Sequence, residues 1–596
     1  MQEFAAPALG EIDDDDTVVD HLFDTLSSDP TRVSFRRQTA AGWQPVTHED
    51  FMRAVTAAAK GLVAIGVGQG DRVGLMARTR YEWTVMDYAV LVAGAVTVPI
   101  YETSSADQVR WILSDSGAVA VVVETAEHLA TVESVLPDLP GLTTWCIEDG
   151  AMDVLTEAGT AVGDATLAER RAQTRASSVA TIIYTSGTTG RPKGCPLTHR
   201  NMLAAVSGAL SGALREVFLP GRSTLLFLPL AHVMGRDIQF GCTNQGVVMG
   251  HSHDIPRLVD DLGEFRPDFL LSVPRVFEKV YNMASAKAAE EGKGRIFDIA
   301  VATAVEYSQA LDTGGPSVWL RLRHAVFDRL VYAKLRARLG GNVSWALSAG
   351  APLGARLGHF YRGIGITIYE AYGMTENCGP ATISSPGHVK VGSVGRPIPG
   401  CTIRIADDGE VLMRGEHVFS GYWNNTEATR ETIDEDGWLH TGDIGELDEQ
   451  GFLTITGRKK DLIVTAGGKN VAPAVLEDIA RAHRLVSQIM VVGDNRPFVA
   501  ALVTLDREFL PTWLELQQRP ADTPVEALVD DPAVRAEVQV AIDAANAAVS
   551  RAESIRAFTI LVEDFSIESG HLTPSMKLKR SVVATDHAGT IDDLYA

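Results

Sequence analysis

The chain is predicted to be α/β and to hold more than one domain, and three observations carry that reading. Its 596 residues exceed the ~250–300 at which a single hydrophobic core stops growing. From Val33 to about Ala180, strand-like apolar runs such as Arg72-Val-Gly-Leu-Met and Ala118 to Glu124 alternate with amphipathic helical runs such as Phe51 to Ile65. That order predicts doubly wound, largely parallel sheets with helices on both faces. From Val391 to Gly421, short strand-like runs (Thr402-Ile-Arg-Ile, Glu410-Val-Leu-Met-Arg) are punctuated by Gly and Pro, which predicts a small β-barrel or sheet.

Composition narrows the function classes. A hydrophobic content of 45% and a charged content of 22% are those of an ordinary globular protein. A formal charge of −23 argues against nucleic acid as the main partner, so any substrate phosphate must be met by a few local cations. Five scattered cysteines give neither a disulfide framework nor a zinc pattern, which points to a reduced, cytoplasmic compartment. The acidic start, with Asp13 to Asp16 as a charge run, is no signal peptide. The longest apolar stretch, Ala89 to Ile100, is too short to span a bilayer and contains Pro99. Peripheral contact with the inner membrane face stays open, as does the choice between monomer and homodimer.

In chain order, residues 1 to about 30 are expected to be partly disordered and then helical. Gly94 to Ser105 reads as a buried strand and a turn. Val179 to Ile183 is a buried strand that feeds the loop Tyr184-Thr-Ser-Gly-Thr-Thr-Gly-Arg-Pro-Lys-Gly194. There Gly187 and Gly190 allow positive φ and close approach, Thr185, Ser186, Thr188 and Thr189 offer hydroxyls, and Lys193 offers a cation. Such a set suits a polyphosphate, although the spacing is not that of a Walker A loop. Asn201 to Leu214 reads as a helix, and Leu225 to Leu230 as an apolar strand followed by His232 and Arg236. Asp268 to Val273 is a strand leading into Pro274-Arg-Val-Phe-Glu-Lys279, and residues 285 to 340 are helical scaffold. Trp345 to Leu353 is a strand ending in small residues, where Gly350 and Ala351 admit a flat ring. Ile366 to Glu376 runs from a strand into a turn bearing the aromatic face of Tyr372, the hydroxyl of Thr375 and the hard oxygens of Glu376. In Gly437-Trp-Leu-His-Thr-Gly-Asp443, an aspartate on a glycine turn can accept from both hydroxyls of a ribose. Gly457-Arg-Lys-Lys-Asp461 alone reads as a solvated turn. A small α/β unit follows, with a helix opened by Pro473, strands at Gln488 to Val492 and Phe498 to Thr504, and a packing helix from Val534 to Val549. Leu572 to Arg580 alone reads as a basic tail.

Taken together, YTSGTTGRPKG, YGMTE, TGD and GRKKD stand in the order of the adenylate-forming superfamily, which the chain resembles from about residue 30 to 590. Tyr101-Glu-Thr-Ser104, the His-Val-x-x-Arg form at 232–236 and the missing glycine before Lys577 resemble its long-chain fatty acyl-CoA synthetases. The resemblance implies an N-terminal adenylate-forming domain, 1–457, and a small mobile α+β lid domain, 458–596, hinged at Lys460. It implies ATP and coenzyme A as co-substrates, Mg²⁺ as cofactor and a fatty acid as acyl donor. By residue, the signature loop would hold pyrophosphate, Thr185 and Glu376 would meet Mg²⁺, and Gly350, Ala351 and Tyr372 would meet adenine. Asp443 and Arg458 would meet ribose, His232 the substrate carboxylate, and Thr375 a phosphate. Lys577, rather than Lys579, would be the catalytic lysine, Gly467 would line the thiol tunnel, and Lys469 would meet a coenzyme A phosphate. The rivals are an acyl-AMP ligase that loads a carrier-protein thiol and a silent adenylate or acyl-lipid binder. Retention of Glu376, Asp443, Arg458 and Lys577 disfavours the second.

Overall fold

Apolar runs without polar alternation can be buried only on both faces, and the two large sheets are built from such runs. The computed structural model of the chain describes residues 2–596 apart from 186–190, 255–256, 467–468 and 574–575. One sheet has six strands in the order Thr143–Cys146, Ala118–Val123, Arg72–Met76, Val96–Ile100, Val179–Thr185 and Lys193–Thr198. It is parallel except for the last pair, the antiparallel hairpin that carries the signature loop at its tip. The other has nine strands, with a parallel centre of Thr367–Met374, Trp345–Ala349, Phe269–Ser272, Ser223–Leu226, Val248–His251 and Val33–Thr39. Val96–Ile100, Ser223–Leu226 and Phe269–Ser272 are buried at every position.

Gln2–Ala5, Thr402–Ile405, Glu410–Arg414, Leu439–Leu447 and Leu453–Arg458 form a five-stranded antiparallel sheet, in the place expected of a small β-barrel. Its first strand corrects the expected disorder at the start of the chain. Gln2 to Ala5 pair with Ile405 to Thr402, and the Arg396 guanidinium lies over the Phe4 ring, 5.2 Å from its centroid, as a cation–π pair. The acidic run is tied down as well, by Asp14 to Arg200 at 2.7 Å and Asp15 to Arg175 at 3.0 Å.

The helix expected at 201–214 changes pitch. His199–Val206 is α-helical and Ser207–Ala213 is a π-helix. A Cβ on Gly208 would lie 2.7 Å from the Pro399 carbonyl oxygen, so the backbone approaches that loop at a distance only glycine allows. The scaffold at 285–340 consists of Pro274–Glu290, Gly294–Asp312, Val318–Phe327 and Ala333–Arg338.

Beyond residue 460 lies a three-stranded sheet, Val486–Val492, Val499–Leu505 and Ile555–Leu561, with its own core around Leu476, Val503 and Val538. Pro532–Asn546 buries Val534, Val538, Ala541, Ile542 and Ala545 at helical spacing, and Asp531 caps it by accepting from the Ala533 and Val534 N–H groups. This unit touches the large one through Arg484–Asp298 at 2.6 Å and Lys279–Glu508 at 2.8 Å. Among the described residues no helix is long and apolar enough to cross a membrane. All five cysteines are buried and free.

Arg236, singled out beside His232 in the sequence, is part of the core. It is wholly buried and paired with Asp87 at 2.6 and 3.3 Å, and Gln239 donates to the same carboxylate at 2.8 Å. The pair locks the helix Val233–Gln245 against Tyr81–Val92. Removing one partner strands a buried charge, whereas removing both does not. Asp87→Ala is therefore expected to cost about 3–5 kcal/mol in denaturant unfolding, and Asp87→Leu with Arg236→Met to recover most of it. A double variant as unstable as the single one would show that the charges themselves are required.

Candidate active site

A cavity of about 1840 Å³ opens at the C-terminal ends of the parallel strands, where ligands bind in open α/β sheets. The ends of Val179–Thr185, Phe269–Ser272, Trp345–Ala349 and Thr367–Met374 form one wall, and the small sheet and the C-terminal unit close it. One part is polar, with Thr375, Glu376, Arg458 and Lys577. The other is apolar, with Ala205, Leu210, Leu214, Phe218, Ile238 and Leu271. The π-helix supplies Ala209 and Leu210 to that apolar part, which gives its wider turn a role in shaping the chamber.

The polar part is ordered around three carboxylates. Asp443 stands on the strand Leu439–Leu447 opposite Arg458, and not on a free turn as the sequence suggested. Arg458 Nε donates to its Oδ1 at 2.9 Å and the Tyr372 hydroxyl donates to its Oδ2 at 2.6 Å. Asp443 thus lies just behind the lining, with one acceptor site left on each oxygen. The same bond fixes the plane of the Tyr372 ring, which faces the cavity. Glu376 is buried, and its Oε1 accepts from the Tyr422 hydroxyl at 2.7 Å. Thr185 and Glu376 converge on the buried Cys195 thiol, whose ionisation is suppressed first by burial and then by the Glu376 charge. The third, Glu410, accepts from the Gly442 N–H at 2.9 Å and pairs with Lys459 at 3.1 Å, so it shapes the bend before Asp443.

Lys193 follows the signature loop on a strand and lies with its Nζ 4.9 Å from the Tyr422 ring centroid. Gly350 lines the cavity at φ +86, a conformation that disfavours a side chain, and its neighbour Ala351 lies outside the lining. Lys460 lies in the turn after Arg458 and reaches the cavity. Thr375 sits in the short turn Thr375–Asn377.

His232 caps the helix Val233–Gln245, its Nδ1 accepting from the Met234 N–H at 3.2 Å. An accepting Nδ1 leaves the proton on Nε2. Burial, and then the Lys577 charge, push the imidazole down to about 3, so it is neutral. Lys577 is exposed to the space of the cavity while protein surrounds that space. Its pKa is lowered by desolvation and then by Arg458, with Asp443 and Glu376 working the other way. It stands in a tight turn in which Thr573 N–H donates to the Lys577 carbonyl at 2.8 Å. Met576 before it has φ +63, in the left-handed region that favours glycine.

Ser186, Gly187, Thr188, Thr189, Gly190 and Gly467 lie outside the described residues. Lys469 is not brought to the cavity. It pairs with Glu553 at 3.4 Å on the C-terminal unit. Sequence reasoning missed Tyr422, Glu410 and Lys459, whose partners are far along the chain. It also missed Asp237, which lines the cavity with both oxygens buried and without a hydrogen-bond partner among the described residues. Burial raises its pKa well above the ordinary value, with Arg236 partly offsetting it.

Glu370, on the strand that carries Tyr372, is pushed up to about 7, first by burial and with a contribution from Asp478 on the C-terminal unit. The folded state holds a proton that the unfolded chain releases near 4.5, so this group favours folding below that value and the contribution is lost as pH rises to about 7. Glu370→Gln is expected to raise the melting temperature at about pH 8 and to lose that advantage near its ordinary pKa. A gain that does not change with pH would place its cause elsewhere.

The chain matches the AMP-binding enzyme family over residues 23–423 and the AMP-binding enzyme C-terminal domain over 460–596. It is 52% identical over 600 residues to the long-chain-fatty-acid–CoA ligase FadD15 of Mycobacterium bovis, covering 100% of both chains. It is 32% identical over 601 residues to the human long-chain-fatty-acid–CoA ligase ACSBG1, covering 94% of this chain and 83% of that one. Among solved structures it is similar to the anthranilate CoA ligase AuaEII in complex with anthranoyl-AMP, with a TM-score of 0.72 at 20% identity over 96% of this chain and 97% of that one.

Proposed function

The chain belongs to the AMP-binding enzyme family, and from that premise we propose that it is a long-chain fatty acid–CoA ligase. It joins a fatty acid to ATP as an acyl-adenylate with release of pyrophosphate, then passes the acyl group to the thiol of coenzyme A. The observation that carries this reading is one chamber of about 1840 Å³ lined both by anion-handling groups and by apolar side chains suited to an aliphatic chain.

In the first step a carboxylate oxygen attacks the α-phosphorus and the bond to the bridging oxygen of pyrophosphate breaks. The chain's task is to place two anions in line and hold the charge that gathers between them. His232, neutral and protonated on Nε2, donates to the fatty carboxylate and fixes the attacking oxygen, and a group in that state is not a base. Lys577 approaches from the C-terminal unit as a point charge that bridges carboxylate and phosphate oxygens. Its pKa is lowered first by desolvation and then by Arg458, and binding of anionic substrates restores the balance in favour of the charged form. Thr375 and the signature loop with Lys193 receive the phosphates. Tyr372 and Gly350 take the adenine, and Asp443 with Arg458 the ribose.

Mg²⁺ fits the donor set. Among the described residues no group of three His, Cys, Asp or Glu could hold a metal alone, and Mg²⁺ is ordinarily held by one or two carboxylates together with substrate phosphates and water. Glu376, with one oxygen steadied by Tyr422, and Thr185 would hold it. When bound, it supplies charge neutralisation at the phosphate oxygens.

In the second step Lys577 occupies the space the thiol needs. The C-terminal domain, 458–596, turns about Lys460, withdraws the lysine and brings Gly467 to the thiol path, with Lys469 released to meet a coenzyme A phosphate. The thiol gives up its proton to water, the thiolate attacks the acyl carbonyl, and the bond to AMP breaks with the electron pair leaving on AMP. The reading places the enzyme in the cytoplasm, in peripheral contact with the membrane, as monomer or homodimer.

Pyrophosphate release is expected to require a fatty acid, ATP and Mg²⁺, to turn over steadily only with coenzyme A, and to be highest with long chains. Lys577→Ala is expected to lower acyl-adenylate formation by about 10²–10³-fold, as loss of a transition-state charge partner does, while Lys579→Ala leaves it within a few-fold. Steady turnover only with a pantetheinylated carrier protein would make it an acyl-AMP ligase, and full activity in Lys577→Ala would remove the lysine assignment.

A further inference from the structure

A helix that is apolar on opposite faces is ordinarily buried on both. The helix Val318–Phe327 and its continuation through the π-turn Asp328–Tyr332 break that rule. One face packs inward through Leu320 and Tyr332. The opposite face carries Val318, Trp319, Leu322, Val326 and Leu330, at separations of three and four residues that place them in one stripe. Trp319 is 82% exposed and Val318 71%, and Leu322, Val326 and Leu330 are each more than half exposed.

The stripe widens onto the antiparallel neighbour Gly294–Asp312. The Arg323–Glu306 ion pair and the bond from the Tyr332 hydroxyl to the Ala300 carbonyl at 2.7 Å fix the register of the two helices. They set the exposed Leu311 beside the Val318 end and the exposed Ile299 beside the Leu330 end. In the C-terminal unit, by contrast, the exposed large apolar side chains Val464, Val475, Leu516, Val540 and Met576 are scattered along the chain.

Charge says what covers this face. Residues 318–339 contain six cations, Arg321, Arg323, Arg329, Lys334, Arg336 and Arg338, against one acid, Asp328, in a chain whose formal charge is −23. Arg321 and Arg323 flank the apolar stripe on its two sides. Arg323 pairs with Glu306 and Arg336 with Asp328, whereas Arg321, Arg329, Lys334 and Arg338 form no ion pair among the described residues. A second copy docked by two-fold symmetry would bring the same six cations against themselves. An anionic bilayer takes the apolar stripe among its acyl chains and the flanking guanidinium groups among its headgroups, with Trp319 at the depth that indole prefers.

We propose that this helical face, centred on Trp319, Leu322 and Val326 and rimmed by Arg321 and Arg329, docks the protein on an anionic lipid surface. The remainder of the acidic chain is repelled by such a surface, so this patch also sets the orientation. The inference rests on the proposed function only for its purpose, the supply of a substrate that partitions into bilayers.

The test is co-sedimentation of the full chain with vesicles of equal parts phosphatidylcholine and phosphatidylglycerol, against vesicles of phosphatidylcholine alone. The unaltered protein is expected to bind the anionic vesicles and to release them as salt rises, since screening shortens the reach of surface charge. Trp319→Ser with Leu322→Ser and Val326→Ser, all on exposed positions, is expected to lower partitioning about tenfold or more, in line with the apolar surface no longer inserted. Arg321→Glu with Arg329→Glu is expected to abolish the preference for anionic vesicles. Turnover of a short, soluble acid stays unchanged in both variants, which separates a lost surface from a lost fold. Binding needs no turnover, so failure of the ligase assignment would leave this result standing. Equal partitioning of the unaltered protein and the serine variant would overturn the proposal. So would a dimer, read by light scattering without lipid, that the serine variant dissolves.

Discussion

The carboxylate of Asp443, held between Arg458 and the Tyr372 hydroxyl, is the contact on which the rest of the site depends. Tyr372 ends a strand of the nine-stranded sheet, and Asp443 and Arg458 face each other across two strands of the five-stranded one. One buried anion therefore joins two separately built layers at the edge of the cavity. It also fixes the last ordered point before the chain leaves for the C-terminal unit, because Lys459 is pinned two ways, by its N–H to Gly442 and its ammonium to Asp408 and Glu410. The proposed turn of the C-terminal unit about Lys460 would leave this clamp intact, so the nucleotide end of the site would not have to be rebuilt between the two steps.

What could be read from the sequence was whatever is local. The parallel sheets were legible because Val96–Ile100 and Ala118–Val123 are apolar without alternation, and the helix at 532–546 because its buried side chains repeat at 3.6. Thr375, Glu376 and Tyr372 were legible because they share one short stretch. What escaped depends on distance along the chain. Gln2–Ala5 is a strand only because Thr402–Ile405, about two thirds of the chain away, is there to receive it. Tyr422 gives no sign of its partnership with Glu376 forty-six positions earlier. Asp443 resembled a turn residue because Gly442 precedes it, but a strand continues through both. The same limit applies to Lys469, whose partner Glu553 lies across the C-terminal unit.

The acidic chain meets its anionic substrates by removing charge as much as by supplying it. Glu370 and Asp237 are both driven toward the neutral form by burial, so two carboxyls near the cavity add little repulsion. Glu410 is matched by Lys459, and Asp443 by Arg458. Lys193 and Lys577 then stand against a wall whose net charge is small, as their proposed work on phosphate requires. Formal charge summed over the chain is thus a poor guide to the potential inside the chamber.

His232 and Lys577 set the last constraint. The Lys577 charge lowers the affinity of His232 for a proton, so the imidazole is neutral beside the lysine. Burial is the larger cause of the histidine's shift and the lysine charge the smaller one. On the proposed reaction, withdrawal of Lys577 for the thiol step would remove the smaller cause and leave the larger, so the imidazole would stay neutral in both steps. A histidine in that state neither takes the thiol proton nor competes with Lys577 for the carboxylate. On the proposed reaction it would hold one carboxylate oxygen in place while the lysine charge arrives and departs with the C-terminal unit.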